Sequence, residues 1–339
     1  MSASNPHPTD IEVTKPRWTL GRALRFLLGP MILAILFWTT DIEALKGAFG
    51  RTKLHYVAWA YLAILPTIPI RTLRWRILLG PEFRPKRFSE LLEVYTYAIF
   101  VGVVTPGRLG EFVKTVHVAR WGAPTSVAFV KVLFDRLFDV ALLCSTAFAG
   151  FWIISFEGFD ARTLAAGGAA TLLVGVGALL FSMRDMKRRG PMSRAVARVT
   201  PQRLRRPLQQ LRDELVHSSW WARLRVHGSA ALLTVAAWGF NYLANYLLAC
   251  ALGLELSYLQ VAAISAISSL ISLVPITLLG AGTRDAALVV LLGVLGGTRA
   301  EALAFSTLLL TLILWLAVIC APSAWSSARR RAAEAHPAP

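Results

Sequence analysis

The chain has 339 residues, of which 55% are hydrophobic and 16% charged; ordinary soluble domains carry about 25% charged residues. A mean hydropathy of +0.55 excludes a disordered or fibrous chain and argues against a water-soluble globule. The formal net charge is +17, from 36 Lys and Arg against 19 Asp and Glu. These charges fall between long apolar runs, which points to an anionic membrane surface and not to nucleic acid. The three cysteines, Cys144, Cys250 and Cys320, sit inside apolar runs without CxxC spacing and read as small core residues. The histidines form no HExxH pattern, and neither a P-loop, a GxGxxG nor a GxSxG motif occurs, so no metal, nucleotide or other cofactor is expected.

A membrane-spanning helix needs about 20 mostly apolar residues. In chain order the candidates are Phe26–Thr40, Leu54–Ile70, Leu137–Ser155, Leu164–Met183, Ser229–Leu252 and Ala302–Ala321. The first follows Lys15, Arg17, Arg22 and Arg25 and reads as an uncleaved anchor. Two further apolar stretches are broken. Leu91–Thr105 runs into Pro106-Gly107-Arg108-Leu109-Gly110-Glu111, and Leu259–Leu279 contains Val274-Pro275 and leads into Gly280-Ala281-Gly282-Thr283-Arg284-Asp285. Both read as re-entrant or discontinuous helices, because irregular backbone at membrane depth is tolerated only against protein or a water-filled cavity.

Basic residues orient these spans. Twenty-five fall before the first span, in Arg71–Arg87, in Arg184–Arg225 and in Arg329–Arg331, against four in the opposite loops. Both termini are therefore expected in the cytoplasm, with six full spans in a bacterial-type inner membrane. The linker at 184–228 carries a short Leu208/Leu211/Leu215 stripe and ends near Trp220 and Trp221. Two readings fit it: an amphipathic piece lying on anionic headgroups, or a solvated linker that only fixes orientation. The expected organisation is an N-terminal tail (1–18), a membrane domain (19–324) and a basic, disordered C-terminal tail (325–339).

The two broken stretches repeat each other. At an offset of 174 residues, Glu111 falls on Asp285, Gly122 on Gly296 and Ala128 on Ala302. Three spans lie between the units, an odd number, so the second is inverted. The expected fold is an all-α polytopic bundle of six spans plus two broken elements in an inverted repeat, an arrangement known in secondary transporters.

Ionisable residues inside apolar segments are costly and usually face a cavity or a partner. Arg108, Glu111 and Lys114 surround the first break. Glu111 there either serves a site, caps its helix or pairs with an arginine. Lys131, Asp135 and Asp139 recur every four residues on one helix face, and Arg136 reaches Asp139 at i+3; the set is either functional or an ion-pair ladder fastening this helix to the first break. Arg284 and Asp285 follow Thr283, read as an N-cap behind a flexible Gly280/Gly282 pair. Asn241 and Asn245 share a helix face suited to interhelical hydrogen bonds.

The Thr105-Pro-Gly-Arg-Leu-Gly-Glu111, Asp135-Arg-Leu-Phe-Asp139 and Gly280-Ala-Gly-Thr-Arg-Asp285 motifs together resemble the membrane domain of lysylphosphatidylglycerol synthases, a family often labelled flippase-like. Its pattern is a P-G-x-x-G-E loop, an acid-R-x-x-D helix and a G-x-G-x-R-E loop. The resemblance covers Thr19 to Ala324. Asp135 and Asp285 depart from the usual Glu, keeping the charge but shortening its reach. The resemblance implies a lipid translocase for an aminoacylated, other anionic or glycosylated lipid. Only Pro322–Pro339 follows the last span, so lysyltransferase activity is not expected. Under this reading Arg108, Lys114, Arg136 and Arg284 neutralise a phosphate, and Glu111 and Asp285 contact the headgroup. Asp135 and Asp139 complete the translocation site, and Pro106, Gly107, Gly110, Pro275, Gly280 and Gly282 form the hinges. The lipid is the main partner, with a lipid-modifying enzyme or a second copy of the chain as further candidates. The rival readings are a membrane-embedded transferase using Glu111 or Asp135 as general base, and a non-catalytic partner of such an enzyme.

Overall fold

The computed structural model describes residues 41–81, 83, 87–154, 224–273 and 280–335, together with isolated positions between 31 and 38. Every element among them is helical: α1 (Ile42–Gly50), α2 (Leu54–Ala63), α3 (Thr67–Leu79), α4 (Phe88–Val103), a tight 3₁₀ segment (Pro106–Val113), α5 (Lys114–Arg120), α6 (Thr125–Ile153), α7 (Leu224–Ala251), α8 (Tyr258–Leu273), α9 (Thr283–Val294) and α10 (Arg299–Ala335). Among the described residues, three paths are long and apolar enough to cross a bilayer: Leu54–Leu79, Val226–Ala251 and Arg299–Ser323. They contain two of the expected spans, Leu54–Ile70 and Ala302–Ala321, and all but the last residue of a third, Ser229–Leu252. The 29-residue α6 covers most of a fourth and extends it twelve residues upstream through the charged face. Leu164–Met183, Pro275 and nearly all of the 184–228 linker lie outside the described residues, as does most of Phe26–Thr40.

The second span is longer than its apolar run. α2 bends at Ile64–Pro66 and continues as α3 to Leu79, where Gly80 (φ 78°) ends it. Arg71, Arg74 and Arg76, assigned by the sequence to a cytoplasmic loop, are thus helical, and Arg71 and Arg74 are buried. The charge bias keeps its sign without them. Its error has a physical cause: hydropathy marks where the apolar residues stop, whereas a helix continues wherever neighbours receive its polar side chains.

α4 and α8 both have 16 residues, about 24 Å at 1.5 Å per residue, short of the roughly 30 Å of a bilayer core. α4 packs chiefly on α10, and α8 on α6. The α6–α8 approach is close enough that a Cβ on Gly150 would stand 2.5 Å from that of Ala263. α7 lies along α2 and α3, while α9 is held between α8 and α10. One apolar core joins Ala60, Leu248, Ile264, Leu288 and Phe305; a second surrounds the fully buried Trp75, with Leu91, Tyr95 and Val118. α10 runs past Pro322 to Ala335, into the stretch read from sequence as a disordered tail.

Candidate functional site: an ion-pair network beside two polar cavities

The first broken element turns back after α4. Thr105 starts the turn, its Oγ1 accepting a bond from the Gly110 N–H (2.7 Å). Gly107 and Arg108 follow at φ 60° and 56°, left-handed backbone that favours glycine and strains an arginine. This kink brings Glu111 back under α4, where Gly102 leaves room for it: a Cβ there would sit 2.6 Å from Glu111 Cγ.

Glu111 and Lys114 then reach α6. Arg136 Nη1 donates to Glu111 Oε2 at 2.7 Å, and Lys114 Nζ to Asp135 Oδ2 at 2.6 Å. Arg136 also meets Asp139 at 3.2 Å, the i,i+3 pair expected from sequence, and Asp135 at 3.3 Å. The ladder joining α6 to the first break is therefore present.

Its centre is a residue that the sequence reading missed. Arg74, 0% exposed, holds Asp139 through Nη1 (2.7 Å) and Nη2 (3.0 Å), and Asp135 through Nε (2.9 Å). It also donates to Thr234 Oγ1 at 3.0 Å. Asp139 accepts a further bond from Trp238 Nε1 at 3.0 Å, so α3, α6 and α7 meet at one carboxylate. Such a buried network is tolerated because its lone pairs and protons are largely satisfied. Lys114 gains further support from the Tyr95 and Trp75 rings, 4.3 and 5.4 Å from its Nζ. The available signal was the Arg71/Arg74 pair at i,i+3 with Trp75, Ile77, Leu78 and Leu79 resuming the apolar pattern. Lys131 shares its face with Asp135 but points elsewhere, donating to the carbonyls of Leu79 (2.7 Å) and Leu78 (3.3 Å) at the end of α3.

The second break is organised locally. Gly282, not Thr283, is the N-cap of α9, and Asp285 Oδ2 accepts its N–H at 2.7 Å. Thr283 Oγ1 donates instead to Gly280 O at 3.3 Å. Arg284 pairs with its neighbour Asp285 at 3.0 Å, and Ser306 of α10 donates to the same carboxylate.

Two adjoining cavities, of about 90 and 100 Å³ for the centre of a water-sized sphere, lie between these structures. Each exceeds the roughly 10–15 Å³ that one water needs on this measure. Arg71, Arg108, Trp238, Ser269 and Arg284 face both. The first also meets Glu111, Asn241, Asn245, Ser265 and Ser268; the second meets Arg136, Asp139, Gly107 and Gly280. Of the expected site residues, Lys114, Asp135 and Asp285 line neither cavity. Arg71, which the sequence reading did not select, lines both. Asn245 Nδ2 donates to Ser265 Oγ at 3.0 Å, the interhelical bond expected of it, whereas Asn241 faces the cavity.

Apolar helices long enough to cross a bilayer, packed around buried charge, define a membrane-integral protein. Residues 22–321 match the family model described as the lysylphosphatidylglycerol synthase TM region, and the chain belongs to that family, which makes it a membrane protein of lipid-related function. A search of curated proteins finds no match.

Proposed function

We propose that this protein is a lipid translocase that moves an anionic, aminoacylated or glycosylated lipid between the leaflets of the cytoplasmic membrane. The observation that carries the reading is the pair of polar cavities faced by Arg71, Arg108 and Arg284, set between the two broken elements. A headgroup phosphate enters there while the acyl tails stay in the bilayer. The arrangement supports the inverted repeat as well. α4 of the first unit packs on α10 of the second, and α8 of the second on α6 of the first. α6 and α10 begin 174 residues apart, the offset found in the sequence. The repeat-matched Gly122 and Gly296 both follow a helix end with positive φ, 97° and 84°.

In this mechanism Lys114, Arg136, Glu111, Asp135 and Asp139 hold the first unit to α6, and the cavity arginines hold the phosphate. The units rock about Gly107/Gly110 and Gly280/Gly282, with six full spans and both termini in the cytoplasm. A membrane-embedded transferase is the weaker reading, because Glu111 and Asp135, its candidate bases, are each held by a cation at 2.6–2.8 Å.

The test is leaflet exchange of labelled lipids by purified protein in liposomes. Wild type is expected to exchange one lipid class and Arg71→Gln to lose at least tenfold in rate. Folded wild-type protein that exchanges no lipid defeats the translocase reading.

A further inference from the structure

The cargo class can be narrowed from the charges that the cavities leave open, taking the translocase reading as its basis. A free carboxylate is the strongest partner that a protein offers a cationic headgroup. Among the described residues, the two carboxylates that line the cavities are engaged, Glu111 with Arg136 and Asp139 with Arg74, and so are the two behind them, Asp135 with Arg74 and Lys114 and Asp285 with Arg284. Arg71 and Arg108, in contrast, have no carboxylate within ion-pair distance among the described residues. Arg71 is only 9% exposed, and its Nε is buried without a hydrogen-bond partner. Its guanidinium lies 5.0 Å from the centre of the Trp238 ring, which fixes it at the wall shared by both cavities. Arg284 Nη1 is also buried and unbonded. Arg71, Arg108 and Arg284 all line the same space, and guanidinium groups gathered there suit the oxygens of a phosphate.

The rest of the first cavity's wall is mostly apolar, from Ile64, Ile99, Leu309 and Leu312, with a patch of uncharged polar side chains on α7 and α8. Asn241 and Ser269 face the first cavity with no hydrogen-bond partner for their side chains among the described residues. Beside them, the Asn245–Ser265 bond uses an Nδ2 proton, so the amide oxygen keeps its acceptor capacity. Amides and hydroxyls that both donate and accept match hydroxyl groups.

We propose that the site takes a lipid phosphate bearing a neutral, hydroxylated headgroup, a glycerol or a sugar, and discriminates against an aminoacylated, cationic one. This sets the chain apart from the aminoacylated lipid that its family's description evokes.

Competition binding on detergent-purified wild type, with tail-labelled phosphatidylglycerol as the probe, tests the proposal. Unlabelled phosphatidylglycerol or a sugar-phosphoryl polyprenol should displace the probe, and the stronger of the two identifies the source. Lysyl-phosphatidylglycerol should be at least tenfold weaker than that competitor. Phosphatidylethanol, which has the same charge as phosphatidylglycerol but no headgroup hydroxyl, should be several-fold weaker. Asn241→Val with Ser269→Ala should erase the hydroxyl preference alone, while Arg71→Gln weakens every phosphate lipid at least tenfold. Lysyl-phosphatidylglycerol that competes as well as phosphatidylglycerol overturns the proposal, as does equal competition by phosphatidylethanol or by soluble glycerol 3-phosphate. These comparisons use wild-type protein and stand even where a variant fails to fold. Liposome exchange separates the two readings. The same headgroup order in binding without any exchange defeats the translocase reading only, and exchange of the lysyl lipid as fast as the others defeats only the cargo class.

Discussion

The two broken elements place an acid at matching positions and satisfy its charge in opposite ways. In the first, Glu111 and Lys114 are held by residues of another helix, Arg136 at 2.7 Å and Asp135 at 2.6 Å. In the second, Asp285 closes its own helix start on Gly282 N–H and pairs with the adjacent Arg284; its tie to α10 is the neutral hydroxyl of Ser306. The difference lies in what separation costs. Pulling the first element from α6 leaves buried charges unpaired, whereas the second carries its countercharge with it. The two elements are therefore anchored differently: the first is tied to α6 by ion pairs between helices, and the second closes its ion pair within itself.

The largest test of this contrast is Asp135→Ala, which strands Arg74 and Lys114 in the interior. It should cost about 3–5 kcal/mol, read as a collapse of thermal stability in detergent. A loss of the same size from Ser306→Ala would erase the distinction between the elements. Next is Glu111→Gln, which removes the Arg136 pair but leaves Arg136 its bonds to Asp135 and Asp139; a loss of roughly 1.5–3 kcal/mol is expected. A third experiment sharpens the geometry of the first break. Gly102→Ala should cost about 1–3 kcal/mol by crowding Glu111, and much of that cost should vanish in a Glu111→Ala background, measured as a double-mutant cycle. Additive losses would mean that Glu111 is not what the glycine accommodates. On the second element Ser306→Ala should cost only about 1 kcal/mol. The smallest effect is expected for Asn245→Val, about 0.6 kcal/mol for one interhelical hydrogen bond.

Much of this arrangement was legible in the sequence where the information is local. The four-residue spacing of Lys131, Asp135 and Asp139 gave their shared face, and the i+3 spacing gave the Arg136–Asp139 pair, because helical geometry fixes both. Pro106 and the glycines around it marked the first break correctly. The N-cap of α9 was misplaced by one residue, since Thr283 is a good capping residue by type and the actual cap is the Asp285 carboxylate folding back on Gly282. Lys131 shared the acidic face yet bonds the end of α3, a choice that spacing along one helix does not contain.

The chain by itself determined that this is a helical membrane protein, that it has broken elements after α4 and before α9, and which charges stand at those two breaks; apolar length, backbone chemistry and the helical period suffice for that. Only the tertiary structure decided which charges are spent and which are open. Arg74 meets acids 61 and 65 residues away, and Arg71 faces a cavity formed by helices from both halves of the chain. A buried charge is defined by what packs around it from distant segments, and hydropathy along the sequence does not carry that information.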